Sequence, residues 1–425
     1  MLSRLPVGYR VSVSQPGFRR LWLGTLISTL GDAMSLVAMV WFAAQLQPDR
    51  ASQAIGLAAA AYTLPSALTA LTLASRLDRM PGKHLLLADS LNRGVMLGLI
   101  AVLASLGALG LPSYLALLAL AALSRPLGYA GTSVILRGML PGDWRFGANS
   151  LLSLTTQLSS VAGPALAGLL VTLLGAGRVI GVDGVSFLVL AVVVLGLPAH
   201  RDGAAHQGGP APRPSLRGLL SVPSVTGLFG LTSVFFLLYG VFSVALPLRA
   251  ADLARGTSSS APFLLGMLWS AFGLGFVIGG LVAGTLRFLA HLVAAAVIAA
   301  SWGLALLAIA WFDQPAVAIA AMAFGGLVYA PYPAVTATVL QRDVASGALA
   351  RVSSYWSMMT SLSVPAGALV ASAAVPLLGP SRSILWSGTG TIAVALAAIA
   401  AWRWASGARP GGPVALEREL EDPVS

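Results

Sequence analysis

The stretch LASRLDRMPGKHLLLADSLNR, residues Leu73–Arg93, is a short charged segment between two long apolar stretches of the chain. The first apolar stretch runs from Ile55 to Ala74, and the second runs from His84 to Ala108. Each is long enough to cross roughly 30 Å of hydrocarbon as a helix. Inside lipid, a helix is one of the few structures that satisfies every backbone polar group. The charged segment is therefore predicted to be a loop between two membrane-spanning helices.

The composition of the 425-residue chain indicates an all-α polytopic membrane protein. Hydrophobic residues make up 57% of the sequence and charged residues only 9%, with a mean hydropathy of +0.86. These values exclude a water-soluble globular domain. Cysteine is absent, which excludes disulfides, thiolate metal sites and a cysteine nucleophile. The net charge of +11 comes from basic residues in short loops, and membrane topology explains that pattern better than a nucleic-acid partner does.

The sequence also lacks the motifs of ATP-driven and metal-dependent proteins. It contains no GxxxxGK[ST] phosphate loop, so an ion gradient is the expected source of energy. All four histidines fall in predicted loops, which argues against a histidine metal site inside the membrane. We therefore expect a protein that is not an enzyme and that needs no cofactor and no metal.

Twelve apolar segments are long enough to be membrane spans. In chain order, spans 1 to 12 cover about 21–46, 54–74, 85–108, 112–136, 151–174, 179–197, 225–248, 262–285, 292–311, 315–339, 353–378 and 384–404. Residues 198–223, rich in Gly, Pro and Arg, are predicted to form a flexible cytoplasmic linker. The expected organisation is a six-helix half at 1–197, this linker, a second six-helix half at 224–404 and a cytoplasmic tail at 405–425.

The distribution of arginine predicts the orientation of the chain. With the N-terminus inside, the inner loops receive most of the basic residues and the outer loops receive few. Bacterial membrane proteins keep such an excess of positive charge on the cytoplasmic side. Both termini are therefore predicted to lie in the cytoplasm, with the protein in the cytoplasmic membrane.

Several motifs resemble those of one transporter family. The loop Asp78–Lys83, DRMPGK, resembles motif A of the major facilitator superfamily, which joins the second and third membrane helices. The segments Phe18–Gly24, FRRLWLG, and Ser28–Met34, STLGDAM, are similar to the first helix of its bacterial exporters of the macrolide-efflux and enterobactin-exporter type. This resemblance implies twelve helices in two six-helix halves, with a substrate path between them.

A second motif bears on the direction of transport. Residues Gly163–Gly168, GPALAG, are similar to motif C of the superfamily's antiporters, whose Gly-Pro bend marks the fifth helix of exporters. The residues that carry this antiporter-like bend are Gly163, Pro164 and Gly168. The resemblance therefore suggests export in exchange for another solute, with protons as the expected partner ion.

Charged groups inside the spans are few. Every glutamate lies in the tail, so the carboxylates within spans are Asp32, Asp89 and Asp183, and the basic candidates are Arg93 and Arg125. A charge inside a membrane is costly unless it is paired or faces water, and such residues are usually functional. We therefore look for the chemistry of transport among these five side chains.

Asp32 and Arg125 are predicted to form a pair. At about 1.5 Å per residue, both lie roughly 17–18 Å from the inner end of their spans. In the resembled family, Arg125 approximates the arginine of motif B, which is implicated in proton coupling. Our hypothesis is a separable pair in which Asp32 is protonated in one half of the transport cycle. The alternative is a fixed structural ion pair.

The other ionisable residues are expected near the two membrane surfaces. Asp89 and Arg93 are four residues apart on span 3, where an i,i+4 ion pair can form. By resemblance, a cytoplasmic gate is assigned to Asp78, Arg79, Lys83, Asp89 and Arg93. A purely topological role for these charges is the alternative. Asp183 begins span 6 near the outer surface, where we expect a solvated or capping residue.

Aromatic and polar residues inside the spans are candidates for the walls of a substrate cavity. Pockets for small molecules are mostly apolar with a few polar anchors, and methionine adapts to varied shapes. The candidates are Ser28, Tyr62, Tyr129, Gln157, Tyr239, Tyr329, Tyr332, Tyr355, Trp356 and Met358. Packing or interfacial anchoring is the alternative for each. As a group they favour an amphipathic or lipophilic solute.

Three functions remain open at this point. The favoured one is proton-coupled efflux of small amphipathic molecules by a monomer in the lipid bilayer. A second is an importer or facilitator of a metabolite or metal ion, because Leu30–Asp32 also resembles ferroportin-type transporters. The third is a non-transporting membrane receptor, against which the ionisable residues inside the bilayer count.

Overall fold

The computed structural model describes residues 14–77, 80–197, 223–255, 257–283, 292–344 and 346–407. These residues form fourteen α-helices and no strand. In the first part of the chain the helices are α1 (Pro16–Leu46), α2 (Ala51–Leu77), α3 (Gly82–Ser105), α4 (Leu111–Leu123), α5 (Arg125–Met139), α6 (Gly142–Leu174) and α7 (Ala176–Leu195). In the second part they are α8 (Pro223–Ala254), α9 (Ala261–Ala283), α10 (Leu292–Trp311), α11 (Pro315–Tyr329), α12 (Tyr332–Asp343), α13 (Ser346–Leu378) and α14 (Pro380–Gly407).

These helices build the twelve membrane spans expected from the sequence. Eleven segments of the described chain are long and apolar enough to cross a bilayer, and two of them, Leu111–Met139 and Pro315–Asp343, each comprise two helices. The remaining span is α2, which has 27 residues. At about 1.5 Å per residue α2 also exceeds the thickness of the hydrocarbon core.

Two spans are broken because of proline. The fourth span is interrupted at Ser124, just before Pro126, and the tenth is interrupted at Ala330 and Pro331. Proline has no N–H for the helical ladder, and its ring clashes with the preceding turn. The break in the fourth span places Arg125 at the first position of α5. A side chain at a helix break inside the bundle is well placed to reach a partner on another helix.

Each half of the molecule is a bundle of six spans. In the first half α1 packs on α6 and α7, α3 packs on α5 and α7, and α2 packs on α4. In the second half α8 packs on α13 and α14, α10 packs on α14, and α9 packs on α11. The largest contacts between the halves join α6 to α9 and α2 to α13. The two halves therefore meet along two helix pairs, with space for a solute between them.

The halves are in close contact at one end of the bundle, which we name the far end because α1 terminates there at Leu46. The hydroxyls of Thr172 and Ser260 are 2.6 Å apart at this end, and further inside the bundle Ser270 donates a hydrogen bond to the carbonyl of Val161 at 2.7 Å. A Cβ at Gly168 would lie 2.7 Å from the carbonyl oxygen of Pro262. This close packing holds the halves together at the far end.

Some predicted segments lie outside the described residues. These are the gate residues Asp78 and Arg79, most of the predicted linker, and most of the predicted tail. One boundary differs clearly from the prediction, since α6 begins at Gly142 and not near 151. The added turns carry Trp144 and Arg145, so this helix continues past its apolar part. Hydropathy alone predicts only the apolar part of a span.

Candidate functional site

Asp32 lies at the centre of a polar network in the first half. Arg93 of α3 forms an ion pair with Asp32 Oδ1. The Tyr62 hydroxyl of α2 donates to the same oxygen at 2.7 Å, and it accepts a hydrogen bond from Arg93 Nη2 at 2.7 Å. Arg125 Nη2 lies 3.7 Å from Asp32 Oδ2. One carboxylate on α1 is thus connected to α2, α3 and α5.

Aromatic rings support both guanidinium groups of this network. The Arg93 guanidinium lies 3.8 Å from the centre of the Phe187 ring on α7. The Arg125 guanidinium lies 4.6 Å from the centre of the Tyr62 ring. A cation over an aromatic face is attracted by the ring, and more strongly where water is excluded. Tyr62 therefore holds Arg125 through its ring and Asp32 through its hydroxyl.

The structure brings together the two residues that the sequence pairs, but another arginine is closer to the carboxylate. The Asp32–Arg125 contact exists at 3.7 Å, whereas Arg93 bonds Asp32 directly. The prediction that Arg93 pairs with Asp89 is wrong. Asp89 accepts a hydrogen bond from Ser124 Oγ at 2.8 Å, and no hydrogen bond or ion pair joins Asp89 to Arg93 in the described part of the chain.

This difference has a physical reason in the packing around α3. Asp89 is 4% exposed and is pressed against Gly128, whose lack of a side chain leaves space for the carboxylate. Arg93, 5% exposed and in the middle of α3, extends to α1. Arg93 thus belongs to the Asp32 network in the interior and not to a gate near the membrane surface.

Three gate residues are predicted in the motif A loop. Of these, Lys83 is the one that lies among the described residues. Its ammonium donates to the carbonyl of Leu195 at 3.0 Å and to that of Leu197 at 2.7 Å. These carbonyls lie at the end of α7, where a helix has unpaired acceptors and a partial negative charge. Lys83 therefore caps α7 and attaches it to the start of α3.

Asp183 is not the solvated residue that the sequence predicts. Its side chain is 0% exposed, between α7 and α1, where Gly31 makes space for it. Ser186 donates a hydrogen bond to Oδ1 at 3.1 Å, and Oδ2 has no hydrogen-bond partner among the described residues. The prediction failed because a glycine on another helix, and not the position of Asp183 in its own span, determines this burial.

The predicted antiporter-like bend lies where α6 contacts its neighbours. A Cβ at Gly163 would lie 2.5 Å from the Cβ of Ala33 on α1. Pro164 is inside α6 and lines the central cavity, and Gly168 packs against Pro262 and Phe263. The two glycines therefore permit close approach of α6 to α1 in the same half and to α9 in the other half.

A central cavity of about 460 Å³ lies between the halves. Helices α1, α2, α6, α8 and α9 form its walls, which are mainly apolar. Of the predicted wall residues it contains Tyr62, Gln157 and Tyr239. Because Tyr62 also bonds Asp32, the polar network borders this cavity.

A second cavity of about 320 Å³ lies between α8, α11, α12 and α13 in the second half. It contains the predicted residues Tyr329, Tyr332 and Trp356. The remaining predicted wall residues, Ser28, Tyr129, Tyr355 and Met358, do not line either of these cavities. Ser28 is buried and donates to the carbonyl of Thr25, whereas Tyr129 is 70% exposed.

Sequence reasoning missed the aromatic wall of the second half. Trp269, Phe272 and Phe276 of α9 all line the central cavity. Their spacing of i, i+3 and i+7 places them on one helical face, a signal that was present in the sequence. It also missed Arg249 of α8, which is 4% exposed and pairs with Asp313 at 2.8 Å.

Comparisons with known proteins agree with this architecture. The sequence model of the Major Facilitator Superfamily matches residues 21–344. The chain is 25% identical over 371 residues to the multidrug efflux pump Tap of Mycobacterium tuberculosis (strain ATCC 25618 / H37Rv), with 83% of this chain and 85% of Tap covered. It is 25% identical over 283 residues to the uncharacterized MFS-type transporter y4rN of Sinorhizobium fredii (strain NBRC 101917 / NGR234), with 66% of this chain and 69% of that protein covered.

The fold also matches solved transporter structures. The nucleoside transporter NupG superposes with a TM-score of 0.69 at 12% identity, covering 91% of this chain and 99% of NupG. At this identity the likeness concerns the fold alone.

Proposed function

The chain belongs to the Major Facilitator Superfamily and is a multi-pass membrane transporter, not an enzyme, and on that premise we propose that it exports small amphipathic or lipophilic molecules in exchange for protons. Asp32 takes up and releases the proton, and Arg125 and Arg93 are its partners. The protein acts as a monomer in the cytoplasmic membrane with both termini in the cytoplasm.

The observation that carries this proposal is the position of Asp32. Its carboxylate interacts with Tyr62, Arg93 and Arg125, which belong to three other helices. Its side chain is 22% exposed, compared with 6% for Arg93 and 18% for Arg125. Of the three ionic groups, the Asp32 carboxylate is the most accessible to water, and it is the one that can accept a proton.

Protonation of Asp32 would change the forces between these helices. A neutral carboxyl group no longer balances the charge of two guanidinium groups. Leaving a buried charge without its partner costs about 3–5 kcal/mol, so the helices must move or a solute must compensate. Such a two-state element, biased by both proton and substrate, is what alternating access requires.

The location of the cavities supports loading from the cytoplasm. The halves are closely packed at the far end, through Thr172, Ser260 and Gly168. The 320 Å³ cavity reaches Gln341 and Leu349, which lie at the opposite end of the bundle. With the termini in the cytoplasm, that opposite end is cytoplasmic. The relative Tap is a multidrug efflux pump, which also favours export.

The lining of the central cavity supports an amphipathic or lipophilic solute. Most of its walls are aliphatic or aromatic side chains, with a few polar anchors such as Gln157, Ser160 and Ser243. No charged side chain lines this cavity among the described residues. Sites for small, mainly apolar molecules have this composition.

Proton flux into proteoliposomes tests the proposal. Vesicles that contain a pH-sensitive dye receive wild type, Asp32→Asn or the control Asp252→Asn, which removes a carboxylate from the i,i+3 pair with Arg255. The added compounds are lipophilic cations, macrolides and siderophores. We expect at least one compound to move protons through wild type and Asp252→Asn but not through Asp32→Asn. Equal solute movement in all three proteins without proton flux would instead show a facilitator.

A further inference from the structure

The ionisable side chains inside the first half include one more acid than base. Among the described residues the acids are Asp32, Asp89 and Asp183, and the bases are Arg93 and Arg125. Arginine stays charged in proteins, and a net charge inside a membrane protein is costly. The cluster is therefore neutral only when one of its three acids holds a proton.

Two of these acids have surroundings that suit a charged carboxylate. Asp32 forms an ion pair with Arg93 and lies 3.7 Å from a nitrogen of Arg125. Asp89 accepts a hydrogen bond from Ser124 at 2.8 Å, and neither of its side-chain oxygens is both buried and unpartnered. The positive charge of Arg93 also acts on Asp89 from one turn away on α3. Both carboxylates are thus stabilised as anions.

Asp183 has the surroundings of a neutral acid. Its side chain is 0% exposed, Oδ2 has no hydrogen-bond partner, and no cation forms an ion pair with it in the part of the chain that the structure describes. The single hydroxyl hydrogen of Ser186 faces two acceptors of Asp183, the backbone carbonyl at 2.7 Å and Oδ1 at 3.1 Å, so it supports Oδ1 only in part. A buried carboxylate without a cation takes up a proton instead of staying charged.

Asp183 also lies beside the Asp32 network. Gly31 precedes Asp32 on α1, and a Cβ at Gly31 would lie 2.5 Å from Asp183 Oδ1. On α7, Phe187 follows Asp183 by one turn and shares its helix face, and the Arg93 guanidinium lies 3.8 Å from the centre of the Phe187 ring. The charged groups that act most strongly on Asp183 are Asp32 and Arg93. Arg93 therefore has a second carboxyl group close to its ion pair.

We propose that Asp183 is a second proton-binding residue of the coupling network, which holds a proton while Asp32 is ionised and releases it when Asp32 becomes protonated. In the first state Asp32 balances Arg93. In the second state an O–H bond has formed on Asp32, the O–H bond of Asp183 has broken with its proton passing to water as the helices move, and the Asp183 carboxylate balances Arg93. The charge of the cluster is the same in both states. The inference rests on the proposed function, because it supplies the charge that compensates for protonation of Asp32.

Infrared spectroscopy of the purified protein tests this inference. At neutral pH, and in a detergent without ester groups, the C=O stretch of a protonated carboxyl group is separate from the carboxylate bands. Exposed acids are ionised at this pH and do not contribute. Aspartate labelled with carbon-13 in its side-chain carboxyl group assigns the band to aspartate. The variants are Asp183→Asn, Asp32→Asn, Ser186→Ala and the matched control Ser124→Ala, which removes the hydroxyl bonded to Asp89.

We expect wild type to show a band of a protonated aspartate that Asp183→Asn lacks. Ser186→Ala should move this band to higher frequency, because a C=O group absorbs at higher frequency when it loses a hydrogen bond, and Ser124→Ala should leave it in place. Asp32→Asn resembles protonated Asp32, so Asp183 should ionise in this variant and its band should disappear. Circular dichroism and size-exclusion chromatography establish that each variant is folded.

Three results would overturn the inference. Absence of the band from wild type would show that Asp183 is charged, and this result needs no variant. A band that moves in Ser124→Ala but not in Ser186→Ala would place the proton on Asp89. A band that persists in Asp32→Asn would show that Asp183 is a permanently neutral structural residue.

The spectra are independent of transport, because they need neither a gradient nor a solute. A protein that shows the expected bands but moves no protons in proteoliposomes would contradict the proposed function alone. A protein whose proton flux depends on Asp32 but which shows no band from Asp183 would contradict the second proton-binding residue alone.

Discussion

The Tyr62 hydroxyl donates a hydrogen bond to Asp32 Oδ1 at 2.7 Å, which joins α2 to α1 inside the first half. The same hydroxyl accepts a hydrogen bond from Arg93. A phenol in this position stabilises the carboxylate and connects it to a cation at the same time. Hydrogen bonds to charged groups are worth more than those between neutral groups, about 1.5–3 kcal/mol.

Tyr62→Phe should therefore impair proton-driven transport. The substitution keeps the ring under Arg125 but removes the donor to Asp32 and the acceptor for Arg93. Because a hydrogen bond to a charged group contributes about 1.5–3 kcal/mol, we expect its loss to lower the rate of proton-driven transport by roughly tenfold or more. The measurement is the initial rate of solute uptake into inverted vesicles under a pH gradient.

Tyr114→Phe is the matched control for this prediction. Tyr114 is buried in the same half and donates to the carbonyl of Met39 at 2.9 Å, and among the described residues it makes no hydrogen bond to Asp32, Tyr62, Arg93 or Arg125. Loss of the Tyr114 hydroxyl should lower the unfolding temperature but preserve proton coupling in the protein that remains folded. Equal transport defects in the two variants would show that the Tyr62 hydroxyl is only structural.

Gly31→Ala should destabilise the contact between α1 and α7. A Cβ at this position would lie 2.5 Å from Asp183 Oδ1 and 2.6 Å from Ser186 Oγ. Overpacking in a closely packed interior costs about 1–3 kcal/mol, so we expect a lower unfolding temperature in detergent. Gly98→Ala is the control, because nothing lies within 4 Å of its added Cβ. Alanine also favours a helix relative to glycine, so this control should be neutral or stabilising.

A disulfide between positions 172 and 260 should stop transport. Thr172 and Ser260 belong to different halves, and their hydroxyls are 2.6 Å apart at the far end. The chain has no cysteine, so Thr172→Cys with Ser260→Cys introduces the only pair. Oxidation should hold the far end closed and abolish transport, and reduction should restore it, because alternating access requires the halves to separate there.

A second cysteine pair controls for oxidation itself. Ser224→Cys with Asp343→Cys joins α8 to α12 within the second half, where the two side chains are 2.6 Å apart. This cross-link does not connect the halves. The transport rate of the Ser224→Cys, Asp343→Cys variant should therefore be similar before and after reduction. If the variant with the oxidised 172–260 disulfide transports at the full rate, the two halves do not need to separate at the far end, and this account is contradicted.

The sequence predicted the fold and part of the network for identifiable reasons. Long apolar segments predict the spans because hydrocarbon thickness sets their length. The helical rise placed Asp32 and Arg125 at the same depth, and the structure brings them within 3.7 Å. The role of this pair in coupling stays a prediction.

Other features depend on packing between helices and could not be read from one span at a time. Arg93 has an acidic residue one turn away, so spacing favoured a local pair with Asp89. The structure instead gives Asp89 a partner at the break between α4 and α5, Ser124, and gives Arg93 a partner on α1. The burial of Asp183 likewise depends on Gly31 of another helix. Such contacts arise from which faces of two helices meet, and a single sequence does not contain that information directly.

The measurement that tests the central claim most directly compares two modes of transport in Asp32→Asn. One mode is accumulation of a transported solute driven by a pH gradient, and the other is exchange of labelled for unlabelled solute at equal pH on both sides. Asparagine resembles protonated aspartate in shape and charge, so the variant should retain exchange but lose gradient-driven accumulation. Accumulation by Asp32→Asn at the wild-type level would contradict the claim that Asp32 carries the coupled proton.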